Sequence, residues 1–164
     1  MSRICLFPGT FDPVTFGHLD IIERSLPLFD KLYIGIGMNS NKKPMFSPEQ
    51  RVAWLEEIFK SNAKIEAVMY EGLTVECCQK LNANYILRGI RYVNDFEYEK
   101  AIADMNRSLD ENIETVFLTC LPKYTSVAST LVRDVIRYGG DVSQFVPDVV
   151  LKAIKTLNRT SYLT

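Results

Sequence analysis

A chain of 164 residues, 47% hydrophobic and 24% charged, can bury one self-sufficient core and is too short for two ordinary domains, so one domain over residues 1–164 is expected. This composition excludes a disordered chain, a collagen-like chain and a disulfide miniprotein. Nineteen Lys and Arg against 20 Asp and Glu leave a net charge of −1, so no global basic field draws in nucleic acid or an anionic membrane, and an anionic ligand must be held by a local cluster.

The opening MSRICLFPGT lacks the apolar core and cleavage site of a signal peptide. No apolar stretch reaches the roughly 20 residues that span a bilayer. Cys5, Cys77, Cys78 and Cys120 have neither C-x-x-C nor zinc spacing, and read as small hydrophobes in a reducing cytosol. A cytoplasmic location is the expectation.

The elements follow in order. Ile4 to Phe7 is a short apolar strand ended by Pro8-Gly9. From Phe16 to Leu28, Leu19, Ile22 and Leu26 mark one helical face. Lys31 to Met38 is a strand. Ser47-Pro48-Glu49-Gln50 is a helix start, with Ser as N-cap, Pro at the first position and Gln three residues after the cap. Lys64 to Tyr70 is a third strand and Thr74 to Leu81 a short helix. Tyr85 to Leu87 is a fourth strand, read as ending at Arg88-Gly89. Asp95 to Leu109 is a charged helix, Glu114 to Cys120 a fifth strand, and Leu131 to Tyr138 a helix closed by Gly139-Gly140. Pro147 opens the last helix. This alternation predicts an α/β fold, a doubly wound five-stranded parallel sheet, with ligands beyond the carboxyl ends of the strands where the strand order reverses.

The segments after the strands carry the chemistry. Gly9 and Thr10 follow the first, with Gly9 permitting close backbone approach. Thr15 is a plausible N-cap, which puts Gly17 and His18, the one histidine, in the first helical turn, where free N–H groups favour an anion. Lys42 and Lys43 follow the second strand. Arg88-Gly89-Ile90-Arg91 follows the fourth, with Asp95, Glu97 and Glu99 close behind. Those arginines suit phosphate oxygens, or the nearby acids, or both. Tyr124-Thr125-Ser126-Val127-Ala128-Ser129-Thr130 follows the fifth, a hydroxyl-rich helix start with Arg133 beyond. No P-loop, G-x-G-x-x-G, nucleophile elbow or zinc signature is present.

Thr10, Gly17 and His18 form a T-x(6)-G-H pattern that resembles the HIGH-type nucleotidyltransferase superfamily. GTFDPVTFGHLDIIERS, Lys42, RGIRYVNDFEYE and TSVASTLVRD with GGDVSQFVP are similar to the bacterial phosphopantetheine adenylyltransferase family, over about residues 3 to 155. One position departs: the family usually has I-S-S-[ST] where this chain has Val127-Ala128-Ser129-Thr130. The S-T-x-x-R form is also similar to nicotinate mononucleotide adenylyltransferases, but the second histidine of their H-x-G-H is replaced here by Thr15.

The resemblance implies a Rossmann-like nucleotidyltransferase fold. It implies transfer of the adenylyl group of ATP to 4′-phosphopantetheine, giving dephospho-CoA and pyrophosphate, the penultimate step of coenzyme A synthesis. The acceptor phosphate attacks the α-phosphorus in line, so the protein's task is positioning and charge stabilisation. By resemblance His18 donates to the α-phosphate, as a neutral imidazole at a helix N-terminus. Thr10 lies between the substrates, and Lys42 and Arg88 hold the acceptor phosphate. Thr74 lies near the pantetheine arm. Arg91, Ser129 and Thr130 hold the β- and γ-phosphates. Phe11, Gly89, Ile90 and Glu99 belong to the ATP pocket, with Tyr124, Thr125, Ser126, Val127 and Ala128 beside the nucleotide. Catalytic roles fall to His18, Thr10, Lys42 and Arg91. Mg2+ is expected with ATP, with no protein-built metal site, no nucleic-acid or membrane partner, and a homohexamer. Two other readings are adenylyl transfer to another acceptor, such as nicotinate mononucleotide, and a non-catalytic nucleotide sensor.

Overall fold

The computed structural model describes residues 2–38 and 44–161. Its elements are β1 (Ile4–Gly9), α1 (Phe16–Ser25), β2 (Lys31–Gly37), α2 (Pro48–Phe59), β3 (Ile65–Tyr70), α3 (Thr74–Leu81), β4 (Tyr85–Ile90), α4 (Val93–Leu109), β5 (Glu114–Thr119), a 3-10 turn (Pro122–Tyr124), α5 (Ser129–Arg137) and α6 (Asp148–Ser161). All strand pairs are parallel, in the order β3-β2-β1-β4-β5. The doubly wound sheet read from the alternation is therefore present. The order reverses between β1 and β4, and that crevice is where such a sheet binds ligands.

Successive strand residues point to opposite faces, and the core divides accordingly. Cys5, Phe7 and Leu87 join Ile22, Trp54, Leu55, Val132 and Val150 from α1, α2, α5 and α6. Leu6 and Ile86 point the other way and meet Val75, Cys77 and Cys78 of α3.

Local chemistry sets most boundaries. Ser47 caps α2, its Oγ accepting from Gln50 N–H at 3.2 Å, with Pro48 at the first helical position. Asn82 ends α3 in the left-handed region (φ 53°), and its N–H donates back to the last turn. Two boundaries differ from expectation. α1 ends at Ser25, three residues short of Leu28, because Pro27 cannot continue a helix, and the buried Ser25 hydroxyl donates to Ile22 O at 2.7 Å. β4 runs on through Arg88 and Gly89 to Ile90, because β5 pairs residue for residue with it as far as Thr119. Gly89 is no strand breaker: a Cβ there would lie 3.2 Å from Ile21 Cγ1, so the glycine lets α1 press on the strand.

The loop from Thr10 to Thr15 is fastened from afar. Buried Asp12 accepts from the N–H groups of Met45 (2.8 Å) and Phe46 (2.9 Å), and Arg133 donates to its carbonyl at 2.5 Å. Buried Arg51 donates to Thr10 O at 2.5 Å and to Ser47 O at 3.2 Å. Removing the carboxylate strands two backbone donors, one buried and one partly buried, and leaves Arg133 without its counter-charge. Asp12→Ala should therefore lower unfolding free energy by about 3 kcal/mol, measured by urea denaturation.

Candidate active site

Two cavities open at the carboxyl ends of β1 and β4. The larger, about 560 Å³, is lined by Thr10, Tyr70, Thr74 and Arg88, and by Glu99, Ile102, Ala103 and Asn106 of α4. The smaller, about 190 Å³, is lined by Phe11, Thr15, Gly17, His18, Gly89, Arg91, Val127, Ala128 and Ser129, among others. Both include Pro8, Gly9 and Arg88, so they meet at the reversal of strand order. Arg88 is the charged residue common to the two.

His18 is placed by a capping box. Its Nδ1 accepts from Thr15 N–H at 3.0 Å, with Thr15 Oγ1 at 3.1 Å. An accepting Nδ1 leaves the proton of the neutral ring on Nε2. Burial, with the Arg91 and Arg88 charges adding to it, lowers the His18 pKa from 6.5 to about 4. The ring is thus a neutral Nε2–H donor at pH 7. It packs edge-on against Phe11, with centroids 4.9 Å apart. Phe11 sits in the left-handed region (φ 48°) with its ring buried against Phe7 as well. Gly17 permits a close approach, since a Cβ there would lie 3.4 Å from Val127 O.

The remaining predicted residues divide. Thr74 accepts from or donates to Tyr70 Oη at 3.1 Å in the larger cavity. Arg91 faces the smaller cavity and is paired with Asp95 at 3.2 Å. Lys42 lies outside the described residues. Ile90 is buried on β4 rather than lining either cavity. Tyr124, Thr125, Ser126 and Thr130 line neither cavity; Thr125 donates to Leu121 O at 3.4 Å, and Thr130 Oγ1 accepts from Arg133 at 3.3 Å.

The structure adds detail at Glu99 and Ser129, and corrects one placement, that of Arg88 and Gly89. Glu99, expected beside ATP, lines the larger cavity, where its carboxylate pairs with Arg88. The Ser129 hydroxyl, expected to grip phosphate, donates to Pro13 O at 2.8 Å and docks α5 on the first loop. Arg88 and Gly89 lie within a strand rather than in the loop after it. Ala128 is the N-cap of α5 and supplies no side-chain cap, so the helix presents bare N–H groups beside the smaller cavity.

The sequence alone does not mark Asp12, Arg51 or the cavity-lining Ile102, Ala103 and Asn106 as part of the site. Asp12 and Arg51 carry no spacing signal for their role. Ile102 and Asn106 stand one helical turn apart, a signal the charge of the segment masks.

Residues 6–135 match the family model described as cytidylyltransferase-like. Curated phosphopantetheine adenylyltransferases are similar over most of their length. That of Flavobacterium psychrophilum is 52% identical, covering 90% of this chain and 97% of that one. Those of Leptospira biflexa and Lachnoclostridium phytofermentans are 48% and 45% identical, covering 94% and 93% of this chain and 96% and 93% of theirs. The chain belongs to the phosphopantetheine adenylyltransferase family. A crystal structure assigned to a nicotinate-nucleotide adenylyltransferase from Vibrio parahaemolyticus superposes with a TM-score of 0.68 at 20% identity, over 94% of this chain and 99% of that one, a likeness of fold.

The lone histidine makes its protonation directly readable. NMR of the uncomplexed protein should show the Nε2–H tautomer at pH 7 and a titration midpoint near 4. Above about pH 6.5 the ring is neutral folded and unfolded. Below it the unfolded chain takes a proton that the native site refuses until about 4, so the His18 contribution to stability is lost across that window. A midpoint between 6 and 7 would contradict the arrangement.

Proposed function

We propose that this protein transfers the adenylyl group of ATP to 4′-phosphopantetheine, giving dephospho-CoA and pyrophosphate. The observation that carries the reading is the meeting of two cavities at Gly9 and Arg88, with a neutral imidazole N–H on the smaller one. The nucleotide occupies the smaller cavity and the acceptor the larger, where Ile86, Ile102, Ala103 and Asn106 suit an arm of mixed polarity.

The acceptor phosphate is already a nucleophile at pH 7. The chain brings it in line with the α-phosphorus and needs no covalent intermediate. His18 donates to a non-bridging α-phosphate oxygen as charge grows in the transition state, and being neutral it loses no proton-binding energy beforehand. Arg88 and Lys42 hold the acceptor phosphate, with Thr10 between the substrates. Arg91 and the free N–H groups of α5 hold the β- and γ-phosphates. Mg2+, brought by ATP and held on its phosphate oxygens, would supply charge to offset that of the leaving pyrophosphate.

We also propose a homohexamer in the cytoplasm. Val93, Tyr98, Met105 and Leu109 of α4 are more than half exposed, apolar surface that favours association. All four cysteines are free, as a reducing compartment would keep them, and among the described residues no helix is long and apolar enough to cross a membrane.

The deciding assay offers ATP-Mg2+ with phosphopantetheine and, separately, nicotinate mononucleotide, following pyrophosphate and the adenylylated product. Only the first should turn over. His18→Ala should lose roughly 10²- to 10⁴-fold in kcat with ATP affinity little changed; weakened ATP binding at constant kcat would make the ring a ground-state ligand. Ala128→Ser should raise stability by about 1 kcal/mol through the added cap and change kcat/KM for ATP by less than about tenfold, because backbone N–H groups do most of the holding. A hundredfold rise would favour the nucleotide-sensor reading.

A further inference from the structure

The Arg88 guanidinium stands where the two cavities meet, and its orientation is not left to the ligand. Its Nε donates to Glu99 Oε2 at 2.6 Å, its Nη2 donates to Glu99 Oε1, and its Nη1 donates to Pro8 O at 2.7 Å. The pair is sheltered, with side-chain exposures of 26% for Arg88 and 12% for Glu99. Arginine has five N–H groups. Three are occupied, and one remains on each terminal nitrogen, a pair that two phosphate oxygens can take.

We propose that Glu99 is a positioning residue of the acceptor side: it fixes the edge of Arg88 so that the free N–H pair meets the acceptor phosphate at the seam between the cavities. The inference rests on the adenylyl-transfer reading above and adds to it a residue that acts through another. Glu99 lines the larger cavity only, and both its oxygens are engaged by Arg88. A carboxylate is also the wrong sign to hold phosphate itself. Its helix, α4, has no buried residue, whereas Arg88 sits on an interior strand. The ion pair therefore ties the wall of the acceptor cavity to the sheet at the reacting phosphate. Glu99 supplies the counter-charge of the guanidinium. With the acceptor bound it remains on the opposite edge of the guanidinium, leaving the phosphate one way to dock.

The test is steady-state kinetics with each substrate varied, on wild type, Glu99→Gln, Glu99→Asp, Arg88→Lys and the double variant Glu99→Gln/Arg88→Lys, with thermal melts alongside. Glutamine cannot accept from both arginine nitrogens, and lysine has no planar edge to be fixed. Glu99→Gln should raise the KM for phosphopantetheine at least about tenfold, leave the KM for ATP within about twofold, and hold kcat within about threefold. Glu99→Asp, which keeps the charge, should recover part of that loss. In the Arg88→Lys background Glu99→Gln should add little, since there is no fork left to orient. The proposal is overturned if the ATP KM rises instead, if the two losses multiply, or if Glu99→Gln matches wild type. If Glu99→Gln melts below the assay temperature, Glu99→Asp carries the test, and equal rises in both KM values would overturn it. Wild type failing to turn over phosphopantetheine at all would instead sink the underlying reading, and this inference with it.

Discussion

The site depends on how the loop between β1 and α1 is held. Its backbone makes a left-handed turn at Phe11 and then feeds directly into the helix that carries His18. A segment of that shape leaves carbonyls without partners of its own, and buried carbonyls must be satisfied. Arg51 of α2 takes Thr10 O, Arg133 of α5 takes Asp12 O and Ser129 of α5 takes Pro13 O. The Asp12 side chain returns the favour in the other direction, accepting the backbone of Met45 and Phe46 before α2. Three segments distant in sequence thus converge on six residues. The strength of these contacts lies in charge-assisted hydrogen bonds within a sheltered setting rather than in apolar area.

From that anchoring the electrostatics follow. A helix that starts at a fixed point puts its third residue at a fixed point, and Thr15 locks the imidazole there through its own N–H. The two nearby guanidinium groups and the partial burial all disfavour a second ring proton. The site therefore gathers positive charge on arginines, which cannot lose it, and keeps its histidine as a dipole. This division suits phosphoryl chemistry, where charge is moved along an axis and few protons need to change hands.

What the sequence made legible was local. The strand and helix order, Ser47 as a cap, and Thr15 placing His18 in a first turn all depend on residues within a few positions of one another. What it hid was tertiary. Asp12 and Arg133 are 121 residues apart, Thr10 and Arg51 are 41 apart, and no spacing rule links them. β4 runs past the point the sequence suggests, because Arg-Gly reads as a stop locally while strand pairing with β5 overrides it. The Ser129 hydroxyl lay between a cap, a ligand and a docking bond, and only the position of Pro13 decides among them.

Gly89 carries a consequence for the scale of the whole catalytic arrangement. Ile21 of α1 lies against it so closely that a methyl group would make the Ile21 side chain, or the helix that carries it, give by a few tenths of an ångström. His18 rides on that helix, and Arg88 is the strand residue next to the glycine. The gap between the His18 imidazole and the Arg88 guanidinium is therefore gauged in part by an absent side chain at the contact between two elements. Reaction geometries tolerate little error, and a contact of this kind converts packing directly into alignment. Substitutions on α1 far from any substrate thus act as adjustments to a ruler, and mutational sensitivity should follow the helix–strand contact as closely as it follows the cavity walls.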